Sequence, residues 1–145
     1  MDVGEGGMVR NRQFGIGQGR SRVEAFATLT DSGVSILLTG GESPHIGGLV
    51  LSSPRKSLSG SGAGADSWIV PLPGHKDAVV AEKVADYICR TISEAVAVTA
   101  GIHIDDAKAG ELDVLRENSM LLAYDIALWC LEERMRQSPC PSQGI

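Results

Sequence analysis

The stretch Val23–Thr39, VEAFATLTDSGVSILLT, decides the fold class. Val23, Ala25, Ala27 and Leu29 alternate with Glu24, Phe26, Thr28 and Thr30, the period of two expected of a strand with one buried face. Asp31-Ser32-Gly33 is a turn signal, and Val34–Thr39 reads as a second, more buried strand. Two such runs joined by a short glycine-containing loop form a β-hairpin.

Beyond the hairpin, Gly40–Gly47 (GGESPHIG) reads as a loop and Gly48–Ser52 as a third strand. Nine of the sixteen residues from Ser52 to Ser67 are Ser or Gly, which predicts a long flexible loop. Trp68–Leu72 reads as a fourth strand, with Pro71 marking an edge or an end. A helix follows Pro73–His75, with Val80, Val84, Tyr87, Ile88 and Thr91 on one face and Asp77 near its positive end. Ala95–Thr99 is small and β-branched, as a central strand requires.

Two helical segments complete the pattern, a short one near Lys108–Glu117 and a longer one over Ser119–Gln137. The longer helix has two apolar faces, Leu122, Ile126, Trp129 and Cys130 on one and Leu121, Leu128, Leu131 and Met135 on the other. The second face needs cover, from a dimer partner or from the chain's own loops. Strands dominate, helices follow only the fourth and fifth, and βα units do not alternate strictly. The expected class is α+β: a largely antiparallel sheet of five to six strands with helices on one face.

The chain has 145 residues, enough for one domain with a core of its own. Residues 1–18 read as a flexible Gly/Arg-rich tail, 19–137 as a single α+β domain and 138–145 as a flexible C-terminal tail. Gly15-Ile16-Gly17-Gln18-Gly19 has the look of a dinucleotide fingerprint but precedes the first strand and opens no helix. No apolar run reaches a membrane span and no secretory h-region opens the chain, so a cytoplasmic protein without a membrane partner is expected.

The net charge of −5 disfavours nucleic acid as a partner, because phosphate neutralisation needs a basic footprint. The four arginines Arg10, Arg12, Arg20 and Arg22 make only the first 22 residues basic. Cys89, Cys130 and Cys140 have neither redox nor zinc-ribbon spacing. The first two fall in helical patterns and read as buried small hydrophobes, and Cys140 as exposed in a Pro-flanked tail.

All three histidines stand beside glycine-bearing turns that follow strands, in Pro44-His45-Ile46-Gly47, Gly74-His75-Lys76-Asp77 and Gly101-Ile102-His103-Ile104-Asp105. Sites are commonly built on such turns. If the histidines converge, two chemistries compete. Three imidazoles, His45, His75 and His103, could hold a divalent metal with an open position for water. Alternatively, imidazoles with Lys76 and backbone N–H groups could hold a phosphate. Gly40-Gly41 resembles half of a phosphate nest. Asp105-Asp106 could orient an imidazole, with Asp106 read as the cap or first-turn acid of the next helix. There is no G-x-S-x-G elbow and no cysteine in an activating setting, so no catalytic residue is assigned.

The strings Thr39-Gly40-Gly41-Glu42-Ser43-Pro44-His45-Ile46-Gly47, Pro73-Gly74-His75-Lys76-Asp77 and Thr99-Ala100-Gly101-Ile102-His103-Ile104-Asp105 occur in this order. As an ordered set they resemble the small D-subunit family of gallate-type (hydroxyarylic acid) decarboxylases, described as prenylated-flavin chaperone-like. The likeness runs from about Gly19 to Leu131. It implies a proteasome-assembly-chaperone-like α+β fold, often dimeric. It also implies a non-catalytic protein that binds prenylated FMN (or FMN) and assists a UbiD-type decarboxylase large subunit. Carried over residue by residue, the cofactor contacts would be Gly40, Gly41, His45, Gly47, Gly74, His75, Lys76, Gly101 and His103. Charge and position at a helix start favour His75 and Lys76 for the phosphate. Two rival readings stand beside it: a metal-dependent hydrolase or lyase built on the three histidines, and a ligand-free assembly subunit.

Overall fold

The computed structural model describes residues 6–138. Strands β1 (Arg10–Ile16), β2 (Val23–Leu29), β3 (Val34–Gly41), β4 (Gly48–Lys56) and β5 (Ala63–Pro71) precede helix α1 (Asp77–Ile92). Strand β6 (Val96–His103) and helix α2 (Ala109–Gln137) follow. The strands form one six-stranded sheet in the order β1-β2-β3-β6-β4-β5. Neighbours are antiparallel except for β3 and β6, which run parallel at the centre. Both helices pack on one face, α1 over β4, β5 and β6, and α2 over β1, β2 and β3. The α+β expectation therefore holds, with a mixed and mostly antiparallel sheet.

The opening hairpin forms as its sequence dictates. Val23, Ala25, Ala27 and Leu29 are buried toward the helices, and the Thr30 N–H donates to the Gly33 carbonyl at 3.0 Å across the turn. Gly33 has φ +108° and a Cβ there would lie 2.7 Å from the Ala95 carbonyl oxygen, so the position requires glycine. Val34, Ile36 and Leu38 of β3 and Val96, Val98 and Ala100 of β6 continue the core, closed by Ile88, Leu122 and Ile126. Each large side chain buried there contributes roughly 1.5–3 kcal/mol.

Four expectations are corrected. Residues 10–16, read as part of a tail, form edge strand β1. Its only buried residue is Phe14, which meets Trp129 edge-to-face at 5.7 Å, so no period of two was visible. The Ser/Gly stretch from Ser52 to Ser67 is the body of a β4–β5 hairpin with its turn near Ser57–Gly62. Its strands are held by ladder bonds, a Ser52–Ser67 hydroxyl pair at 2.7 Å and an Arg55–Asp66 ion pair at 2.7 Å, none of which gives a hydrophobic signal. The two C-terminal helical segments are one helix, α2. Ser119, a poor helix former, is buried there because its hydroxyl donates to the Leu115 carbonyl at 2.7 Å, and Asn118 donates to the Ser21 carbonyl. Asp106 is not the cap of α2: it has φ +50°, and the cap is Lys108. Cys140 lies outside the described residues.

Two apolar surfaces are left open. Leu121, Leu128, Leu131 and Met135 of α2 are exposed, so the described loops of this chain do not cover that face. On the sheet, Leu49 and Leu51 flank buried Val50 and so point away from the helices. Opposite them stand Val70 and Trp68, and all four are exposed, as is Phe26 of β2.

Candidate functional site

The parallel pair β3–β6 sends both C-terminal ends to the same side of the domain, where α1 begins. His103 ends β6 beside Gly41, the last residue of β3. The chain then crosses from β3 to β4 through Glu42–Gly47. The Glu42 N–H donates to the His103 carbonyl at 2.7 Å and the Gly47 N–H to the Ala100 carbonyl at 2.8 Å, so this loop is stitched to β6 along its length. The Leu72 N–H in turn donates to the Gly47 carbonyl at 3.0 Å, bringing Gly74-His75-Lys76 to the same place.

All three histidines converge. The rings of His45 and His75 are 5.1 Å apart and those of His45 and His103 6.3 Å apart. They line one recess of about 220 Å³ together with Gly74, Lys76, Asp77 and Arg116. His45 Nδ1 lies 2.9 Å from the Ser43 carbonyl, which can only accept, so Nδ1 carries the proton. His45 Nε2 lies 3.1 Å from Oδ2 of Asp77, and His75 Nδ1 lies 3.5 Å from the same oxygen. The other Asp77 oxygen accepts the Ile102 N–H at 2.7 Å. His103 stands apart from this cluster, with its Nε2 2.8 Å from Asp105.

The glycines serve the site in different ways. Gly74 lines the recess. Gly47 and Gly101 hold space around it. A Cβ on Gly47 would lie 1.9 Å from Asp77 Oδ2, and one on Gly101 would lie 1.6 Å from the His45 carbonyl oxygen. Gly40 and Gly41 do not act as a phosphate nest. Both belong to β3, and the Gly41 N–H is spent on the Arg22 carbonyl at 3.0 Å. Gly41, at φ +74°, instead allows His103 to approach, since a Cβ there would meet the His103 carbonyl at 2.1 Å.

Several contributors carry no sequence signal of their own. Asp77, read only as a favourable acid at a helix start, is the buried hub of the histidine cluster. Arg116 reaches the recess from α2, visible only once α2 is packed beside α1. Arg20 clasps the rim by ion pairs with Glu42 at 2.8 Å and Glu111 at 2.9 Å and a bond to the Asp105 carbonyl at 2.8 Å. Between α1 and α2 runs a mainly apolar groove of about 490 Å³ lined by Val79, Val80, Met120, Leu121 and Tyr124, with the charged Lys83, Arg116 and Glu117 also in its wall. Val80 and Arg116 line both spaces, so the groove and the polar recess are neighbours that share a wall.

Cys89 and Cys130 are buried and free. Burial pushes both thiols up, Cys130 to about 12, with Asp86 and Glu94 adding to the effect at Cys89 and Cys130 respectively. Neither is a thiolate nucleophile near neutral pH.

A mixed six-stranded sheet with two helices on one face is an α+β fold similar to that of a proteasome-assembly chaperone. A chain of a yeast 20S proteasome-assembly chaperone complex superposes with a TM-score of 0.52 at 16% identity, covering 81% of this chain and 98% of that one. Residues 17–131 match the family described as "Prenylated flavin chaperone LpdD-like domain", and the chain belongs to that family. Among curated proteins no sequence match is found. No helix among the described residues is long and apolar enough to cross a membrane.

Proposed function

We propose that this protein is a non-catalytic carrier of prenylated FMN that supplies or matures a UbiD-type decarboxylase in the cytoplasm. The observation that carries the reading is a histidine-rich polar recess set directly beside an apolar groove, with Val80 and Arg116 lining both. Prenylated FMN has a comparable division, an anionic phosphate at one end and an extended flat ring system with apolar faces at the other. The recess alone is smaller than the roughly 300–1,000 Å³ usual for such ligands, and the recess with the groove falls inside that range.

In this reading Lys76 and His75, at the positive end of α1, receive the phosphate, with Arg116 facing them across the recess. Val79, Met120 and Tyr124 receive the ring, which the groove shields from water and oxygen. When bound, the flavin would supply redox and carbon–carbon bond chemistry to the partner enzyme. This chain's residues fix the phosphate, orient the ring and exclude solvent.

The recess and the groove are separable by experiment. Lys76→Met removes one charge-assisted bond to phosphate and is expected to weaken FMN binding roughly tenfold while leaving riboflavin unaffected. Val79→Arg, at an exposed groove position, is expected to weaken both. His45→Ala, His75→Ala and His103→Ala are expected to weaken retention of prenylated FMN in a folded protein. Calorimetric titration with circular dichroism as the folding control decides: unchanged affinity in all three histidine variants removes the site assignment.

A homodimer is part of the same proposal. It is supported by the exposed sheet face carrying Leu49, Leu51, Trp68 and Val70, since an apolar sheet face normally requires a second layer. Trp68→Lys and Leu51→Lys, directly opposite each other in β5 and β4, are expected to convert a dimer to a monomer in light scattering after gel filtration. A wild-type protein that runs as a monomer would remove the homodimer from the proposal.

A further inference from the structure

We infer that His45, His75 and Asp77 form a binding site for a divalent transition-metal ion. Their three donor atoms, His45 Nε2, His75 Nδ1 and Asp77 Oδ2, lie within 4.8 Å of one another. Two ligands each about 2.1 Å from one metal, at an angle between square and tetrahedral, stand about 3.0–3.4 Å apart. The two distances to Asp77 Oδ2 are 3.1 and 3.5 Å.

The surroundings are those of a ligand set. His45 Nδ1 donates to the Ser43 carbonyl, so the ring presents Nε2 to the Asp77 carboxylate oxygen, the nitrogen a metal would take. The Ile102 N–H holds the second Asp77 oxygen and so orients the carboxylate. Metal-ligating histidines and carboxylates typically carry such outer hydrogen bonds. Asp77 is only 7% exposed, and a carboxylate that deep needs compensation by positive charge. Gly47 keeps the space beside the donors clear, because a Cβ there would lie 1.9 Å from Asp77 Oδ2 and 3.0 Å from His45 Nε2.

Two imidazoles and one carboxylate favour Zn²⁺, Mn²⁺, Fe²⁺ or Ni²⁺ over Mg²⁺ or Ca²⁺, which prefer all-oxygen sets. The remaining coordination positions open into the recess lined by Gly74 and Lys76. An anionic oxygen of a bound ligand would complete them, and that ligand is the flavin phosphate only if the proposed function holds.

Metal binding is testable without any flavin. Full-length protein, stripped with chelator, is titrated calorimetrically with Zn²⁺ alone and Mn²⁺ alone, with Mg²⁺ as the comparison. One equivalent of Zn²⁺ or Mn²⁺ is expected to bind at micromolar or tighter affinity, and Mg²⁺ far more weakly. His75→Gln and Asp77→Asn are expected to lose roughly tenfold or more, and exposed Asp113→Asn to lose nothing. The His75 side chain is 41% exposed against 7% for Asp77, so its variant tests the site even if the Asp77 variant fails to fold. A wild-type protein that binds neither Zn²⁺ nor Mn²⁺, or a His75→Gln variant with unchanged affinity, overturns the inference. A protein that binds metal as described but no flavin would overturn the proposed function alone.

Discussion

Gly101→Ala is expected to dismantle the site and to destabilise the fold by about 2–3 kcal/mol. A Cβ at this position would lie 1.6 Å from the carbonyl oxygen of His45, 2.3 Å from its carbonyl carbon and 3.0 Å from its nitrogen. These are backbone atoms, so no rotamer change relieves the overlap, and the Glu42–Gly47 loop must move away by more than an ångström. That movement pulls on the bond from the Gly47 N–H to the Ala100 carbonyl and carries His45 away from Asp77. A displacement of that size at a binding group can cost on the order of a hundredfold. Urea unfolding measures the first effect, and titration of the still-folded fraction with flavin or Zn²⁺ the second. A variant with wild-type stability and wild-type affinity would show that the loop does not rest on Gly101.

Glu94→Gln is expected to cost about 2 kcal/mol at neutral pH, most of it lost again in acid. Glu94 lies in the turn between α1 and β6, and Arg134 in the last turns of α2. Arg134 donates to both carboxylate oxygens, at 2.9 and 2.7 Å, and to the Thr30 carbonyl at 2.6 Å. Glu94 also accepts the Gly33 N–H at 2.7 Å. The pair thus ties α2 and the α1–β6 connection to the opening hairpin, with both side chains about four-fifths buried (21% exposed each).

The Arg134 hydrogen bonds hold the Glu94 carboxyl below its ordinary range of about 4.5, against the opposing effect of burial. A depressed folded-state value means that the stabilisation is fully present above the unfolded value and is lost as pH falls through the folded one. The difference between wild type and Glu94→Gln is therefore expected to be constant from about pH 6 upward and to shrink steadily below about pH 4.5. Urea midpoints at several pH values check this. A pH-independent difference would mean that Glu94 contributes shape and not charge.

Legibility in the sequence followed hydrophobic contrast. The β2–β3 hairpin could be read because Val23, Ala25, Ala27 and Leu29 alternate with polar neighbours and Gly33 marks the turn. Strand β1 could not, because a single inward residue, Phe14, makes no period. Only the apolar halves of β4 and β5, Gly48–Ser52 and Trp68–Leu72, could be read: in the Ser/Gly halves Ser52 and Ser67 pack inward without being apolar, and ladder bonds carry the pairing. The parallel pairing of β3 with β6 joins segments some sixty residues apart, and no local pattern encodes it.

The three histidines were legible because each sits beside a glycine turn, and the structure brings all three to one recess. Their grouping was not. Asp77, a first-turn acid by sequence, gathers His45 and His75, whereas His103 turns to Asp105. The α1–α2 groove depends on two helices meeting side by side, with Tyr87 and Tyr124 in edge contact at 4.7 Å, which neither helix reveals alone.

The most direct test of the central claim is an anaerobic calorimetric titration of the wild-type protein with reduced prenylated FMN, with FMN as control. Saturable binding of one flavin per chain, tighter for the prenylated form, is the expected result. It follows from the proposed pairing of the polar recess with the neighbouring apolar groove. Folded protein that binds neither flavin would contradict the carrier function.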